Sequence, residues 1–305
     1  MVLHEATDDP GCLEYLVGLE KRCGIRVDVN YPKRGGWTAL HTAASKGNTV
    51  VIALLLHAGA CATATTKDGH TPVHLASEHH HTAVVIQLVS AAPRTALQPT
   101  NNGRLPIHIA ARQGDLATVR WFLQQSVDAA EHGFGEPGNQ PNDATIALST
   151  LAKPATWSVA ELVRAEDKAG TDVLKDGIVS GSLSLLQYLV GTTAKRSTLS
   201  AQLHRQETST GKLPIHVAAL TGNVAILQYL HQNGIIDEAD GNAKDTWDEW
   251  TPLCYAARYG HLAAIEYLIH QCHADKHIAD RHQRTPCDIA KLWRQPDDIV
   301  HALAP

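Results

Sequence analysis

Phenylalanine occurs twice and methionine once in this 305-residue chain, and aromatic residues together make up 5%. That supply suits a thick sandwich core poorly, although apolar residues reach 44% and Ala and Leu are plentiful. Thin layers of small-residue helices fit it better. No apolar run approaches the roughly 20 residues that a bilayer-crossing helix needs, so no membrane association is expected. The first residues, "MVLHEATDDPG", lack a basic region followed by an apolar stretch, which argues against a signal peptide. Cys12, Cys23, Cys61, Cys254, Cys272 and Cys287 stand singly, with no CxxC pair. Reduced thiols and a cytoplasmic location are the expectation. Lys and Arg number 26 against 31 Asp and Glu, a formal charge of −5, and no long basic run tracks phosphates. Nucleic acid is therefore not an expected partner.

Catalytic signatures are missing as well. There is no GxxxxGK[ST], GxSxG or HExxH, and no GxGxxG opens a helix. No cysteine has a histidine at a recognisable spacing, and carboxylates are scattered rather than paired. Neither an enzyme nor a bound cofactor is expected.

Histidine, by contrast, is abundant, and "TPVHLASEHHH" (residues 71 to 81) holds four. Part of this stretch recurs. "WTALHTAASKGN" begins at Trp37, "RLPIHIAARQGD" at Arg104, "KLPIHVAALTGN" at Lys212, "WTPLCYAARYGH" at Trp250 and "RTPCDIAKLWRQ" at Arg284. Thr38 to Thr71 is 33 residues, and Thr251 to Thr285 is 34. A fainter copy, "DVLKDGIVSGSLSLLQYLV", starts at Asp172 with Lys175 in the histidine slot.

The residues explain one another physically. Thr38, Thr71, Thr251 and Thr285 can cap helices. Pro72, Pro106, Pro214, Pro252 and Pro286 fit the first helical position, where no N–H is needed. Small pairs such as Ala43-Ala44 and Ala256-Ala257 allow close helix approach. Gly47, Gly114, Gly222 and Gly260 suit a left-handed helix end. His80 stands in that glycine slot, so a departure from the pattern and a weaker turn are expected there.

With its TPLHxA-type signature and period near 33, the chain resembles the ankyrin repeat family. The resemblance implies an all-α solenoid of about seven to eight helix pairs joined by hairpin loops. Its expected parts are an N-terminal capping repeat over residues 1–33, repeats over 34–130, and a long loop with an eroded repeat or insertion over 131–169. Repeats resume over 170–281, and 282–305 form a C-terminal cap. His41, His74, His108 and His216 occupy the structural histidine slot of the family. A metal site is not expected at His79, His80 and His81, since three consecutive residues cannot face one ion. The same holds for His270, Cys272, His273, His277 and His282, whose register spreads them along a helix end and hairpin.

Family membership would make the function binding. The concave groove would hold a partner protein or peptide, as an adaptor or scaffold and as a monomer. The alternative is a regulator or pathogen effector acting on an enzyme, as part of a longer chain with a catalytic segment elsewhere. The groove slots carried over are Trp37, Lys46, His79, Arg104, Arg112, Trp250, Tyr255, Arg258 and Tyr259, with Trp247 at a fingertip. Trp250, Arg258 and Tyr259 are expected as its exposed anchors, because Trp, Tyr and Arg concentrate binding energy.

Overall fold

The computed structural model describes residues 2–19, 27–125, 162–163, 165–194, 207 and 209–304. Two compact units divide the chain, Met1–Asp167 and Lys168–Pro305. Among the described residues both are built from short helices taken in pairs, without strands.

The first unit contains α1 (Val2–Glu5), α2 (Pro10–Val17), α3 (Ala39–Lys46), α4 (Thr49–His57), α5 (Pro72–Glu78), α6 (Thr82–Ala91), α7 (Pro106–Arg112) and α8 (Leu116–Gln124). The second contains α9 (Val173–Ser180), α10 (Leu183–Ala194), α11 (Pro214–Thr221), α12 (Val224–Gln232), α13 (Pro252–Tyr259), α14 (Leu262–Gln271), α15 (Pro286–Leu292) and α16 (Asp297–Ala302). Within each unit the first helices of successive pairs stack on one another: α3 on α5 on α7, and α9 on α11 on α13 on α15. The alanine pairs sit in these seams, and Ala43, Ala44, Ala110, Ala111, Ala218, Ala219, Ala256 and Ala257 are fully buried. Second helices form an adjoining layer whose apolar stripe, such as Ile226, Leu227 and Leu230 or Ile265 and Leu268, is excluded from water. Each pair can bury its apolar face only against its neighbours, so the repeat is the unit of stability.

Among the described residues, one conformation recurs nine residues after the cap of each first helix from α3 on. Gly47, Gly114, Gly181, Gly222 and Gly260 there have φ between 70° and 76°. His80 and Arg294 hold the same slot at φ 60° and 53°. The turn at His80 therefore keeps the geometry of the others, and its penalty is the strain of a non-glycine residue in left-handed space, about 1–2 kcal/mol. At Gly222 a second demand is added, because a Cβ there would overlap the His261 imidazole of the next repeat. We expect Gly222→Ala to lower stability by at least about 2 kcal/mol, the left-handed penalty plus the clash. A denaturation midpoint equal to that of the parent would show that neither constraint operates.

The long loop and eroded repeat expected over 131–169 fall largely outside the described residues. At its end Leu162 and Val163 are buried. Residues 165–170 run into the cap of α9, and Arg104 Nε lies 3.5 Å from Asp167 Oδ2.

Candidate partner-binding face

The signature histidines are structural struts. In His41, His74, His108 and His216 the Nδ1 atom accepts the backbone N–H of the cap residue at 3.0–3.1 Å. An N–H can only donate, so the ring proton sits on Nε2. That Nε2–H donates to a hairpin carbonyl further along the chain: His70 at 3.0 Å, Arg104 at 3.1 Å, Ala165 at 2.8 Å and Ala243 at 3.0 Å. All four rings are fully buried. Burial pushes the imidazole pKa down to about 4 in His41, about 3 in His74 and about 4 in His216. The caps work differently from the sequence expectation. At Thr38 and Thr71 the hydroxyl turns to the imidazole, 2.8 Å from Nδ1, whereas at Thr285 it accepts the Asp288 N–H at 3.3 Å. Lys175, in the same slot, is buried and directs Nζ to Asp172 and to the Gly170 carbonyl within its own repeat.

His4 belongs to the same set, because its Nε2 lies 2.9 Å from the Trp37 carbonyl. The terminal "LHEA" thus keeps the signature in shortened form. A second set of struts starts one residue after the left-handed slot. His81 reaches back to the Ser45 carbonyl at 3.1 Å, His261 to Leu220 at 3.0 Å and Gln295 to Arg258 at 2.6 Å. Asn48 and Asn223 do likewise, and also accept the N–H three residues on as helix caps. So His81 is a cross-repeat strut, while His79 and His80 are exposed. Among the described residues no group of three His, Cys, Asp or Glu side chains is arranged to hold a metal. Cys272 is buried, which lifts its thiol to about 11, away from the thiolate that metals prefer.

The expected aromatic anchors divide into two kinds. Trp250 and Tyr255 are buried, 5% and 7% exposed, which overturns the reading of Trp250 as an exposed anchor and takes the Tyr255 ring out of the accessible groove. Trp250 Nε1 donates to Asp280 Oδ2 at 3.1 Å, and Tyr255 donates its hydroxyl proton to Asp245 Oδ2 at 2.6 Å. The two rings meet edge to face at 5.2 Å. Burial and the Asp245 carboxylate push the Tyr255 phenol upward. Burial would raise Asp280, but hydrogen bonds from Arg284, His282 and Trp250 outweigh it and hold the carboxyl below its ordinary range. These residues tie hairpin to helix, and the physical reason for the correction is the buried acid in each hairpin that captures their polar atoms.

Arg258 and Tyr259 do reach the surface, Tyr259 at 47% exposure. The Arg258 guanidinium lies 5.4 Å from the Trp250 ring centre, 5.3 Å from Tyr259 and 4.4 Å from Trp293. Trp293 is half exposed, Leu292 slightly more, and neither figured among the expected contacts. Yet Trp293 follows Thr285 by the same eight residues that separate Tyr259 from Thr251, a register visible in the sequence. Elsewhere Trp247 is 67% exposed. Lys46, His79 and Arg112 are exposed, and Trp37 and Arg104 half-buried. Lys46 is paired with Asp8 at 2.5 Å. The structure thus brings Trp250, Tyr255, Arg258 and Tyr259 into one cluster, with Trp293 added.

A family model described as Ankyrin repeats (3 copies) matches residues 3–96, 62–133, 174–280 and 235–304. The NAD-capped RNA hydrolases NUDT12 of Homo sapiens, Macaca fascicularis and Pongo abelii are each 31% identical to this chain over 80 residues. That match is 26% of this chain and only 16% of those proteins' length. The crystal structure of the ankyrin repeat domain of Bcl-3, a unique member of the IkappaB protein family, aligns with 99% of this chain and 97% of that one. Identity there is 19% and the TM-score 0.43.

Proposed function

We propose that this chain, which belongs to the ankyrin repeat family, acts as an adaptor or scaffold that holds a partner protein through the surface around Arg258, Tyr259 and Trp293. Ankyrin repeats are protein–protein interaction modules, and the fold here is built for rigidity. The cross-repeat struts and buried alanine seams fix the positions of surface side chains, which lowers the entropy that binding must overcome. The observation that carries the reading is the group of exposed aromatic rings around one guanidinium, a composition typical of binding hot spots. The short match to the NAD-capped RNA hydrolases supports no hydrolase activity here.

The test is quantitative affinity capture with the parent chain and with the double variant Tyr259→Ala, Trp293→Ala, whose side chains are both about half exposed. A specific partner should fall at least tenfold in the variant while its melting curve stays within a few degrees of the parent. Equal recovery of every partner by both chains would move the binding face elsewhere, with Trp247 the next residue to truncate.

A further inference from the structure

We propose that the patch formed by Arg258, Tyr259, Leu292 and Trp293 takes an acidic, apolar peptide segment. A partner's Asp or Glu carboxylate would sit on the guanidinium, and a neighbouring apolar side chain on the exposed rings. The inference rests on the interaction role above and names the partner chemistry of that surface.

Several cations of this unit spend their charge or donors locally. Arg284 gives Nε and Nη2 to Asp280, Arg281 donates to the Thr246 carbonyl, and Lys244 pairs with Glu249. Lys276 donates to the Ala304 carbonyl. Arg258 holds three ring faces instead, and among the described residues its guanidinium makes no ion pair and no hydrogen bond. A guanidinium stacked on aromatic faces still offers its five N–H groups in its own plane, the arrangement that receives a carboxylate through two parallel bonds. The rings hold it in place and shield it from water on their side, which strengthens such a bond.

Sequence around Trp293 extends the match. "KLWR" (residues 291–294) places two exposed apolar residues between two exposed cations, Lys291 and Arg294, neither of them in an ion pair among the described residues. Lys291 stands near Asp288, whose carboxyl is held low chiefly by the Thr285 hydroxyl and N–H. Gln295 fixes this turn to α13 through the Arg258 carbonyl at 2.6 Å. Aromatic rings beside cations can also stack nucleic-acid bases. A net charge of −5 and the lack of a basic run favour the peptide.

The experiment is selection of a displayed random 12-residue peptide library on the whole chain. Selected peptides are then titrated by fluorescence anisotropy against the parent, Arg258→Gln, Arg258→Lys and Trp293→Ala, each checked by thermal melting. The expected result is enrichment of Asp or Glu next to Leu, Phe or Trp. Binding should weaken at least tenfold in Arg258→Gln and Trp293→Ala, partly in Arg258→Lys, and fall as salt rises. Should Arg258→Gln fail to fold, the exposed Trp293→Ala reads the same surface. Selection without acidic enrichment, no selection, or unchanged binding to both variants would overturn the proposal. So would tighter binding of a uridine oligonucleotide than of any selected peptide. A cellular partner that loses affinity with Tyr259→Ala, Trp293→Ala while selected peptides carry no acid would retain the interaction role and discard this chemistry.

Discussion

Lowering the pH from 7 to 5 is expected to cost about 2 kcal/mol of folding stability for each of His41, His74 and His216. The sign follows from their burial. In the folded protein these imidazoles stay neutral down to about 4, about 3 and about 4, against an ordinary 6.5. Between pH 6.5 and about 4 the unfolded chain therefore binds protons that the folded chain refuses. Stability is full above pH 6.5 and declines by up to about 1.4 kcal/mol per pH unit per ring as acid is added. Protonation would also strike the struts directly, since Nδ1 must accept the cap N–H and cannot do so once it carries a proton. Two of the three rings lie in the first unit, so its loss is the larger. Against an ordinary domain stability of about 5–15 kcal/mol, this brings marginal repeats to their midpoint. Urea denaturation at pH 7, 6 and 5, followed by far-ultraviolet dichroism, should show the decline. Stability that does not change over that range would contradict the neutral-strut assignment. His74→Cys, which copies Cys254 in the same slot, should be less stable at pH 7 yet show a visibly shallower pH slope.

Much of this fold could be read because the signature works locally. A proline at the first helical turn, an alanine seam and a left-handed slot nine residues on all act within one repeat, so each copy declares itself. The histidine slot was legible for the same reason at His41, His74, His108 and His216, whereas His4 in "LHEA" declares itself only through its bond to the next hairpin. Contacts that cross between repeats were harder to see. Nothing near His81 or His261 in sequence points to the carbonyls of Ser45 and Leu220, 36 and 41 residues away, that they reach in the fold. Polar residues at Asn48, Asn223 and Gln295 in the same slot were the available signal. Trp293 was obscured by Arg294, which replaces the glycine that marks the slot, although the count from Thr285 still finds it. At Trp250 the register located the backbone correctly. The fate of its side chain was decided by Asp280, 30 residues further on.

That tryptophan carries the largest single-residue effect expected. Trp250→Ala should lower stability by about 3–5 kcal/mol, the range for emptying a large buried aromatic site. It removes an indole that is 5% exposed, the edge-to-face contact with Tyr255 and one hydrogen bond to Asp280. The ring face beneath Arg258 goes with it. Trp250→Phe separates these contributions: it keeps most of the packing and loses the indole N–H, so it should cost only about 1–2 kcal/mol. Asp280 tolerates that loss because Arg284 still donates to the same oxygen. Tyr255→Phe leaves Asp245 with fewer donors in a buried hairpin, since its other oxygen already receives the Asp248 and Trp250 N–H groups, and should cost about 1–3 kcal/mol. Chemical denaturation of the three variants gives the order Trp250→Ala, then Tyr255→Phe and Trp250→Phe. If Trp250→Ala instead melts with the parent while partner affinity collapses, the indole is a surface anchor after all. If it melts early and the folded fraction at low temperature still binds, the indole supports the surface from beneath and the exposed rings of Tyr259 and Trp293 make the contact.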